Sequence, residues 1–326
     1  MNDLKQKIIT AVEDDLNDIE KALSDNLNPY LDLVSEVAGH LLFSGGKRLR
    51  PLLMVLSARI CGYTGNYEKT FSTALEYLHT ATLLHDDLVD EAAMRRGKAA
   101  AHSTWGNSIA VLVGDYLLAR ALSISAGTGR LRVIQILAEL TENMSQGEVH
   151  QLMRKGDINL KEEEYLEVIR RKTAMLFEAA CRVSAIIADA PEESEKALAD
   201  YGYNLGIAFQ MADDLFDYTL TTSDFGKEVG ADLREGKMTL PVIHALKNTT
   251  NDDKDRMVKI IQNQDFSAED FKTLVELLDK HGGLAYTQNT AASYIDNAKK
   301  ALSLFEPSQT KDIMMDIADY VLARRD

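Results

Sequence analysis

Two clusters of aspartates end two apolar stretches of this 326-residue chain, HDDLVD at 85–90 and DDLFD at 213–217. Residues four apart lie on the same face of a helix, so Asp86 is paired with Asp90. The same spacing pairs Asp213 with Asp217. Paired carboxylates repel each other and are costly to bury unless a cation neutralises them. Because Mg²⁺ prefers carboxylate oxygens and completes its shell with water and phosphate, the clusters predict metal sites for an anionic substrate.

A solvated acidic helix end is the alternative interpretation of each cluster, since the chain as a whole is acidic. One cluster leaves both interpretations open. Two clusters, each at the end of an apolar stretch, favour metal binding. An EF-hand is excluded, because neither cluster has the loop glycine or the glutamate that closes a calcium loop.

Basic segments would bring an anionic substrate to the aspartates. Arginine donors form a planar fork that matches phosphate oxygens, and lysine adds a point charge. Two glycines in the first segment permit close approach of the backbone. For Arg170 and Lys98 a solvated helix end is the favoured interpretation. The candidate phosphate-binding residues are GGKRLRP at 45–51, RRGK at 95–98, RRKT at 170–173, Lys227 and Lys237.

Two other chemistries fit the sequence less well. Residues 230–237 resemble a P-loop, but five residues separate the glycines instead of four, and Met238 replaces the hydroxyl residue that would contact Mg²⁺. His85-Asp86 is an HD doublet, as in metal-dependent HD phosphohydrolases. That interpretation leaves the second aspartate cluster and residues 45–51 without a role, and it stays as an alternative.

The elements that carry these residues are predicted to be helices. The chain has only five prolines, and apolar residues recur every three or four positions, as from Val133 to Met144. We find neither a linker nor a repeat, so we expect an all-α fold in a single domain, 1–326. Residues 250–326 as a semi-separate cap are the alternative. Glycine-rich or polar breaks are predicted near 44–46, 62–66, 127–129, 156–159, 219–230, 248–253, 282–283 and 307.

Composition restricts the partners and the compartment. A net charge of −15 and a pI near 5.0 argue against nucleic acid and against an anionic membrane surface. Cys61 and Cys181 lie far apart, so we expect no disulfide and a reducing cytoplasm. The charged N-terminus lacks a signal-peptide pattern. The apolar run 109–118 is interrupted by Asp115 and followed by Arg120, so no transmembrane segment is predicted.

The chain closely resembles the all-trans polyprenyl diphosphate synthases, which elongate isoprenoid chains. The resemblance implies an all-α bundle of antiparallel helices around a deep central cavity, usually in a homodimer. It extends from about residue 30 to the C-terminus, with the family's motifs in their expected order. The motifs are GGKRLRP (45–51), ALEYLHTATLLHDDLVDEAAMRRGK (74–98), VLVGDYLLARA (111–121), GEVHQL (147–152), RKTAMLFEAA (171–180), FQMADDLFDYT (209–219) and GKEVGADLREGKMTLP (226–241).

The resemblance implies a role for each candidate residue. Mg²⁺, with Mn²⁺ as a substitute, would be held against the allylic diphosphate by Asp86, Asp90, Asp213 and Asp217. Asp87 and Asp214 would be less direct ligands. The implied allylic contacts are Arg95, Lys172, Thr173, Gln210 and Lys237, those for isopentenyl diphosphate are Lys47, Arg50, His79 and Arg96, and Lys227 is a further substrate-binding candidate. The catalytic roles fall to Asp86, Asp90, Asp213, Lys172 and Lys237.

The implied reaction is the Mg²⁺-dependent, head-to-tail 1′-4 condensation of isopentenyl diphosphate onto an allylic diphosphate such as farnesyl diphosphate. Metal ions and basic side chains would stabilise the leaving diphosphate. The double bond of isopentenyl diphosphate then attacks the allylic cation, and in this family the departing diphosphate takes the proton. No protein nucleophile is required, and the sequence offers no Ser/His/Asp or Cys/His arrangement. Apolar helix faces would shield the cation from water.

Product length is predicted from the helix that carries Asp86. Thr82 lies one turn before Asp86 on the same face, with Ala81 beside it and Leu78 further along. In short-chain relatives, bulky aromatics at the positions of Ala81 and Thr82 close the cavity. Small side chains here therefore imply a long product, around octaprenyl. The alternative for Ala81 is a packing contact with the helix over 109–121.

Four other functions remain as alternatives. A shorter-chain (geranylgeranyl) synthase and the catalytic subunit of a heteromeric synthase lie nearest. A class I terpene cyclase would carry an Asn/Ser/Glu-type second metal motif, whereas the second motif here is rich in aspartate. An HD-type phosphohydrolase would need no isopentenyl diphosphate. A non-catalytic partner subunit is disfavoured, because both aspartate motifs are intact.

Overall fold

Helices form nearly all of the regular structure, as the proline-poor sequence predicts. The computed structural model describes residues 2–219, 230–263 and 265–324. Within these ranges the only strands are β1 (Met94–Arg95) and β2 (Lys98–Ala99), which pair antiparallel. The prediction of an all-α fold is confirmed.

The described ranges contain seventeen α-helices, a π-helical turn at Arg170–Ala174 and a 3₁₀ turn at Leu302–Leu304. The helices are α1 (Asn2–Ala11), α2 (Glu13–Asn26), α3 (Asp32–Leu42), α4 (Leu49–Ile60), α5 (Tyr67–Val89), α6 (Ala101–Trp105), α7 (Asn107–Gly127), α8 (Leu131–Met153), α9 (Glu162–Ile169), α10 (Met175–Ile187), α11 (Glu192–Thr219), α12 (Ala231–Arg234), α13 (Leu240–Asn248), α14 (Asn251–Ile261), α15 (Ala268–Lys280), α16 (Gly283–Ala301) and α17 (Gln309–Ala323).

The predicted breaks separate helices wherever they fall on described residues. The break at 219–230 lies largely outside those residues. The sequence did not predict the turn between α10 and α11, where Asp189 adopts a φ of 48° before Pro191. Asp189 also accepts a hydrogen bond from Arg130 Nη1 at 2.8 Å, which ties this turn to the start of α8.

Long helices pack side by side to form the bundle. α5 packs along α7, α10 packs along α11, and α4 contacts both α5 and α10. One hydrophobic cluster contains residues of most helices from α1 to α11 and of α16 and α17. A second cluster contains residues of α9, of α11 and of the five helices α12, α13, α14, α15 and α16. The helices after residue 250 contribute to both clusters. The single-domain assignment stays a prediction.

Helix α7 is the one described helix that is long and apolar enough to cross a bilayer. About 33% of its most apolar window is buried in the protein, where it packs against α5, α3, α6 and α8. Core helices of soluble proteins have the same length and composition, so α7 does not indicate a transmembrane segment.

Candidate active site

A cavity of about 700 Å³ brings the predicted aspartates and basic segments together. Its described lining contains eight cationic side chains and five acidic ones, so the cavity is positively charged although the chain carries a net charge of −15. The cations are Lys47, Arg48, Arg50, Arg95, Arg96, Lys172, Lys237 and Arg324, and the acids are Glu76, Asp86, Asp90, Glu148 and Asp213.

The end of α5 carries the first acidic pair into the cavity. Asp86 lies in the last turn of α5, and Asp90 follows its last residue. Burial raises the pKa of Asp86 to about 6, helped by the nearby carboxylates of Glu148 and Asp90. Burial has the same tendency at Asp90, but its ion pairs with Lys237 and Lys155 lower the pKa overall. The carboxylate oxygens of Asp90 lie 3.2 Å from Lys237 Nζ and 3.1 Å from Lys155 Nζ.

The second acidic pair divides between two environments. Asp213 lines the cavity, and its Oδ1 lies 2.7 Å from a guanidinium nitrogen of Arg324. Asp217 is buried, and its two carboxylate oxygens accept the backbone N–H groups of Ala231 and Asp232 at 3.0 and 3.2 Å. It therefore holds the start of α12, and it is not among the described residues that line the cavity. A metal-binding role for Asp217 stays a prediction.

The second aspartate of each cluster holds another side chain. Asp87 is buried and accepts a hydrogen bond from Arg95 Nε at 2.7 Å. Asp214 is also buried and accepts the Tyr165 hydroxyl at 2.6 Å and the Gln210 amide at 2.8 Å. Burial, followed by the charge of Asp232, raises the pKa of Asp214. These contacts explain why a DD pair, rather than a single Asp, stands at each helix end.

A hairpin that the sequence did not predict presents two of the predicted arginines. Its turn residues Arg96 and Gly97 have φ angles of 51° and 74°, as in the type I′ turn that joins two adjacent strands. Arg95 reaches back to Asp87 at the end of α5. Arg96 instead donates to the carbonyl oxygen of Gly45 in the GGKRLRP loop. Neighbouring arginines thus serve opposite sides of the cavity.

The GGKRLRP loop packs closely on Arg96. A Cβ atom on Gly46 would lie 3.3 Å from Arg96 Nη1, so the absence of a side chain lets the loop approach the guanidinium. Arg48, one of the predicted phosphate-binding cations of this loop, adopts a left-handed φ of 47° and is buried. Its guanidinium donates to Glu76 at 2.7 Å and pairs with Glu20. It anchors the loop to α2 and α5.

Arg50 and His79 lie side by side in the cavity wall, next to this basic loop. Arg50 stacks over the Phe177 ring at 4.6 Å, and its Nη1 lies 3.1 Å from His79 Nε2. Burial, with four arginines nearby, lowers the pKa of His79 well below 6.5. The imidazole is therefore neutral and accepts through Nε2, because a guanidinium only donates. Burial lowers the pKa of Arg50 to about 10, which leaves it charged.

A π-helical turn positions the predicted allylic contacts Lys172 and Thr173. Such turns are rare and frequently occur at functional sites. Two glycines let neighbouring helices approach it. A Cβ on Gly147 of α8 would lie 2.8 Å from Arg171 Cβ, and one on Gly206 of α11 would lie 2.6 Å from the Cα of Ala174. Gly147 is the first residue of the GEVHQL motif, and this close packing explains why the motif begins with glycine.

The side chains on this turn are held from both sides. Lys172 Nζ pairs with Glu148, lies 2.9 Å from Gln151 Oε1 and lies 3.9 Å from Asp86. The Thr173 hydroxyl donates to Gln210 Oε1 at 2.7 Å. Both side chains face the cavity. The turn therefore places a cation beside Asp86 and a hydroxyl beside Gln210.

The predicted chain-length residues lie at two depths. Thr82 lines the cavity, and its hydroxyl donates to the carbonyl oxygen of His79 at 2.8 Å. Ala81 and Leu78 are buried in the hydrophobic core next to it. Their effect on product length stays a prediction. Lys227, the remaining predicted contact, lies outside the described residues.

Three residues of the site were not predicted. Arg324 stacks over the Phe209 ring at 3.8 Å and pairs with Asp213, but it stands near the chain terminus, far from every motif. Lys155 pairs with Asp90, and its only sequence signal is the neighbouring Gly156. Glu148 was visible in the GEVHQL motif without an assigned role. Each meets its partner in the site through tertiary packing, so local sequence gives little indication.

The donor set fits a divalent cation with oxygen ligands. Asp86, Asp90 and Asp213 come from two helices and face one cavity, where burial makes unneutralised carboxylates costly. Among the described residues, no three acidic, histidine or cysteine side chains already converge on one point. An ion would therefore take one or two carboxylates and complete its shell with water and substrate oxygens, as Mg²⁺ usually does.

Comparison with known proteins agrees with this arrangement. The family model for polyprenyl synthetase matches residues 31–278. Octaprenyl diphosphate synthase of Escherichia coli is 39% identical over 319 residues, which cover 98% of both chains. A polyprenyl synthase from Caulobacter crescentus, solved with calcium and isoprenyl diphosphate, is 39% identical with a TM-score of 0.93, and 99% of this chain and 98% of that one are covered.

A geranylgeranyl pyrophosphate synthetase from Pyrococcus horikoshii has a similar fold at lower identity. It is 31% identical with a TM-score of 0.91, and the match covers 98% of this chain and 99% of that one. The bundle is therefore shared by relatives named for products of different length. With both acidic helix ends and the basic loop in place around one cavity, the chain belongs to the polyprenyl synthetase family and is a trans-prenyltransferase.

Proposed function

We propose that this chain condenses isopentenyl diphosphate onto an allylic diphosphate such as farnesyl diphosphate, repeatedly and with Mg²⁺, to a long all-trans polyprenyl diphosphate around octaprenyl in length. The observation that carries the proposal is the cavity that combines two acidic helix ends with an excess of cations. The similarity to a relative named octaprenyl diphosphate synthase supports the product class. A geranylgeranyl synthase and the catalytic subunit of a heteromeric synthase are the nearest alternatives.

The cations of the cavity divide between two diphosphates. Arg50 and Arg96 lie on the side of the GGKRLRP loop, together with Lys47 and neutral His79. This group is suited to a diphosphate that is bound and kept, that of isopentenyl diphosphate. Lys172, Lys237 and Arg95 lie beside the acidic helix ends instead. They are placed to bind the diphosphate that leaves the allylic carbon.

Mg²⁺, or Mn²⁺ in its place, would be held by Asp86, Asp90 and Asp213 with diphosphate oxygens, and it would stabilise charge on the leaving group. Lys172 and Lys237 act on the same charge from fixed positions, which costs no reorganisation when the bond breaks. Phe177 and Phe209 lie with ring centroids 5.1 Å apart along the cavity wall and limit the access of water to the allylic cation. No side-chain nucleophile is needed.

We also propose that the chain works as a homodimer in the cytoplasm. Helix α7 is apolar around most of its circumference, yet Leu112 on it is 62% exposed, and Leu131 at the start of α8 is 66% exposed. These exposed leucines are suited to burial against a second copy of the chain. Cys61 and Cys181 are free thiols, which suits a reducing compartment. Light scattering should give twice the chain mass of 36.2 kDa.

Metal dependence is the first test. Incubation with isopentenyl and farnesyl diphosphates plus Mg²⁺, followed by sizing of the products, should yield long polyprenyl chains. Asp86→Ala or Asp213→Ala should each lower turnover by ~10³-fold, since metal stabilisation is worth several kcal/mol at about 1.4 kcal/mol per tenfold. Asp200→Ala, an exposed position on the same helix as Asp213, is the matched control and should keep full activity. Undiminished turnover in excess EDTA would contradict the metal assignment.

The division of the cavity is tested with the two neighbouring arginines. Arg96→Ala should mainly raise KM for isopentenyl diphosphate, because the diphosphate bound there never leaves. Arg95→Ala should lower kcat, because leaving-group charge develops beside it. Asp87→Asn, which weakens the contact that holds Arg95, should reproduce part of the Arg95 defect. Steady-state kinetics with each substrate varied in turn measure kcat and the KM for isopentenyl diphosphate. An identical defect in the two arginine variants would show that the sides are not separate.

Product length is tested at the wall that precedes Asp86. In Ala81→Phe the ring cannot enter the close-packed core without strain, and the cavity beside Thr82 is the space left to it. Products should shorten to farnesyl or geranylgeranyl length, while the first condensation persists. Chromatographic sizing measures the products, and a thermal unfolding midpoint shows whether the variant is folded. Unchanged product length in a folded variant would mean that the growing chain runs elsewhere.

A further inference from the structure

A chain of hydrogen bonds connects a buried tyrosine to the predicted allylic side of the cavity. The Tyr165 hydroxyl on α9 donates to Asp214 Oδ2 at 2.6 Å. Gln210, one turn before Asp214 on α11, donates its amide to Asp214 Oδ1 at 2.8 Å. The Thr173 hydroxyl on the π-helical turn donates to Gln210 Oε1 at 2.7 Å. Four side chains from three elements are thus joined end to end.

The order of donors and acceptors fixes the Gln210 amide. Its nitrogen faces Asp214 Oδ1, which accepts from it, and its oxygen accepts from the Thr173 hydroxyl. Rotation of the amide by half a turn would set its oxygen against the Asp214 carboxyl oxygen. Tyr165 holds the other Asp214 oxygen and so fixes the plane of the carboxyl group. Tyr165 therefore influences the orientation of the Gln210 amide through Asp214, without contacting the amide itself.

Tyr165 itself lies behind the site. It is 4% exposed and is not among the described residues that line the main cavity. It lines a separate space of about 100 Å³ on the far side of Lys172, Thr173 and Gln210. Packing of the ring alone would not require the hydroxyl, whereas a hydrogen bond to a buried carboxyl group does. The tyrosine is therefore suited to orientation and not to contact with substrate.

We propose that Tyr165 is a positioning residue for the allylic substrate, acting through Asp214 on the orientation of the Gln210 amide and the Thr173 hydroxyl. The inference rests on the proposed function, because it takes Gln210 and Thr173 as allylic contacts. It gives the second aspartate of DDLFD a task other than metal binding. The same division of labour holds at the first cluster, where Asp87 holds Arg95.

The test compares Tyr→Phe variants at two buried tyrosines, each of which loses only its hydroxyl group. Tyr165→Phe keeps the ring and removes the hydroxyl. Loss of this buried hydrogen bond, which leaves its partner unsatisfied, should lower kcat/KM for farnesyl diphosphate by about tenfold and leave KM for isopentenyl diphosphate unchanged. Tyr201→Phe is the matched control, because its buried hydroxyl donates to the carbonyl oxygen of Met314 at 2.8 Å, between α11 and α17. It should retain both constants.

A double-mutant cycle separates positioning from general destabilisation. Tyr165→Phe should have no further effect on kcat/KM in a Gln210→Ala background, since the amide it orients is absent. Equal effects in both backgrounds, an equal rise in KM for both substrates, or wild-type kinetics in Tyr165→Phe would overturn the inference. If Tyr165→Phe does not unfold cooperatively, Asp214→Asn decides in its place and should give the same allylic defect. Absence of condensation in the wild-type protein would instead refute the proposed function.

Discussion

Repulsion among carboxylates that share one cavity is the constraint on which this site depends. Carboxylates in one partly buried cavity repel one another and lose hydration, so Asp86, Asp90 and Asp213 need cations beside them. The protein supplies them as Lys172, Lys237 and Arg324. Each acid is thus paired before substrate arrives. Because the lining holds more cations than acids, the cavity attracts diphosphates in a chain whose overall charge would repel them.

The surrounding helices are built to hold these charges in place. Gly147 and Gly206 let α8 and α11 approach the π-helical turn more closely than any side chain would allow. Asp87 and Asp214 each follow an aspartate that lines the cavity. They do not face the cavity but accept hydrogen bonds from the side chains of Arg95 and Gln210. The two adjacent aspartates at each helix end therefore have different roles. One residue presents charge to the substrate side, and its neighbour fixes the side chains that line it.

The sequence predicts those parts of the site whose positions follow from helical spacing within a single segment. Helical spacing was enough to place Asp86 and Asp90 together, and proline scarcity predicted the all-α fold. Spacing could not reveal that Asp217 would hold the start of α12, because that contact depends on a later segment folding back. Arg324 reaches Asp213 only through the packing of α17 on α11. The hairpin that divides Arg95 from Arg96 depends on positive φ angles at its turn, a weak signal when Arg occupies one of the two positions.

The central claim is that the acidic helix ends bind a divalent cation only when a diphosphate completes its shell, since lysine and arginine already pair with the carboxylates. Calorimetric titration of the wild-type protein with Mg²⁺, without and with inorganic diphosphate, tests it most directly. The account predicts weak binding of Mg²⁺ alone and binding at least tenfold tighter with diphosphate, about 1.4 kcal/mol. Tight binding of Mg²⁺ that is the same with and without diphosphate would contradict it.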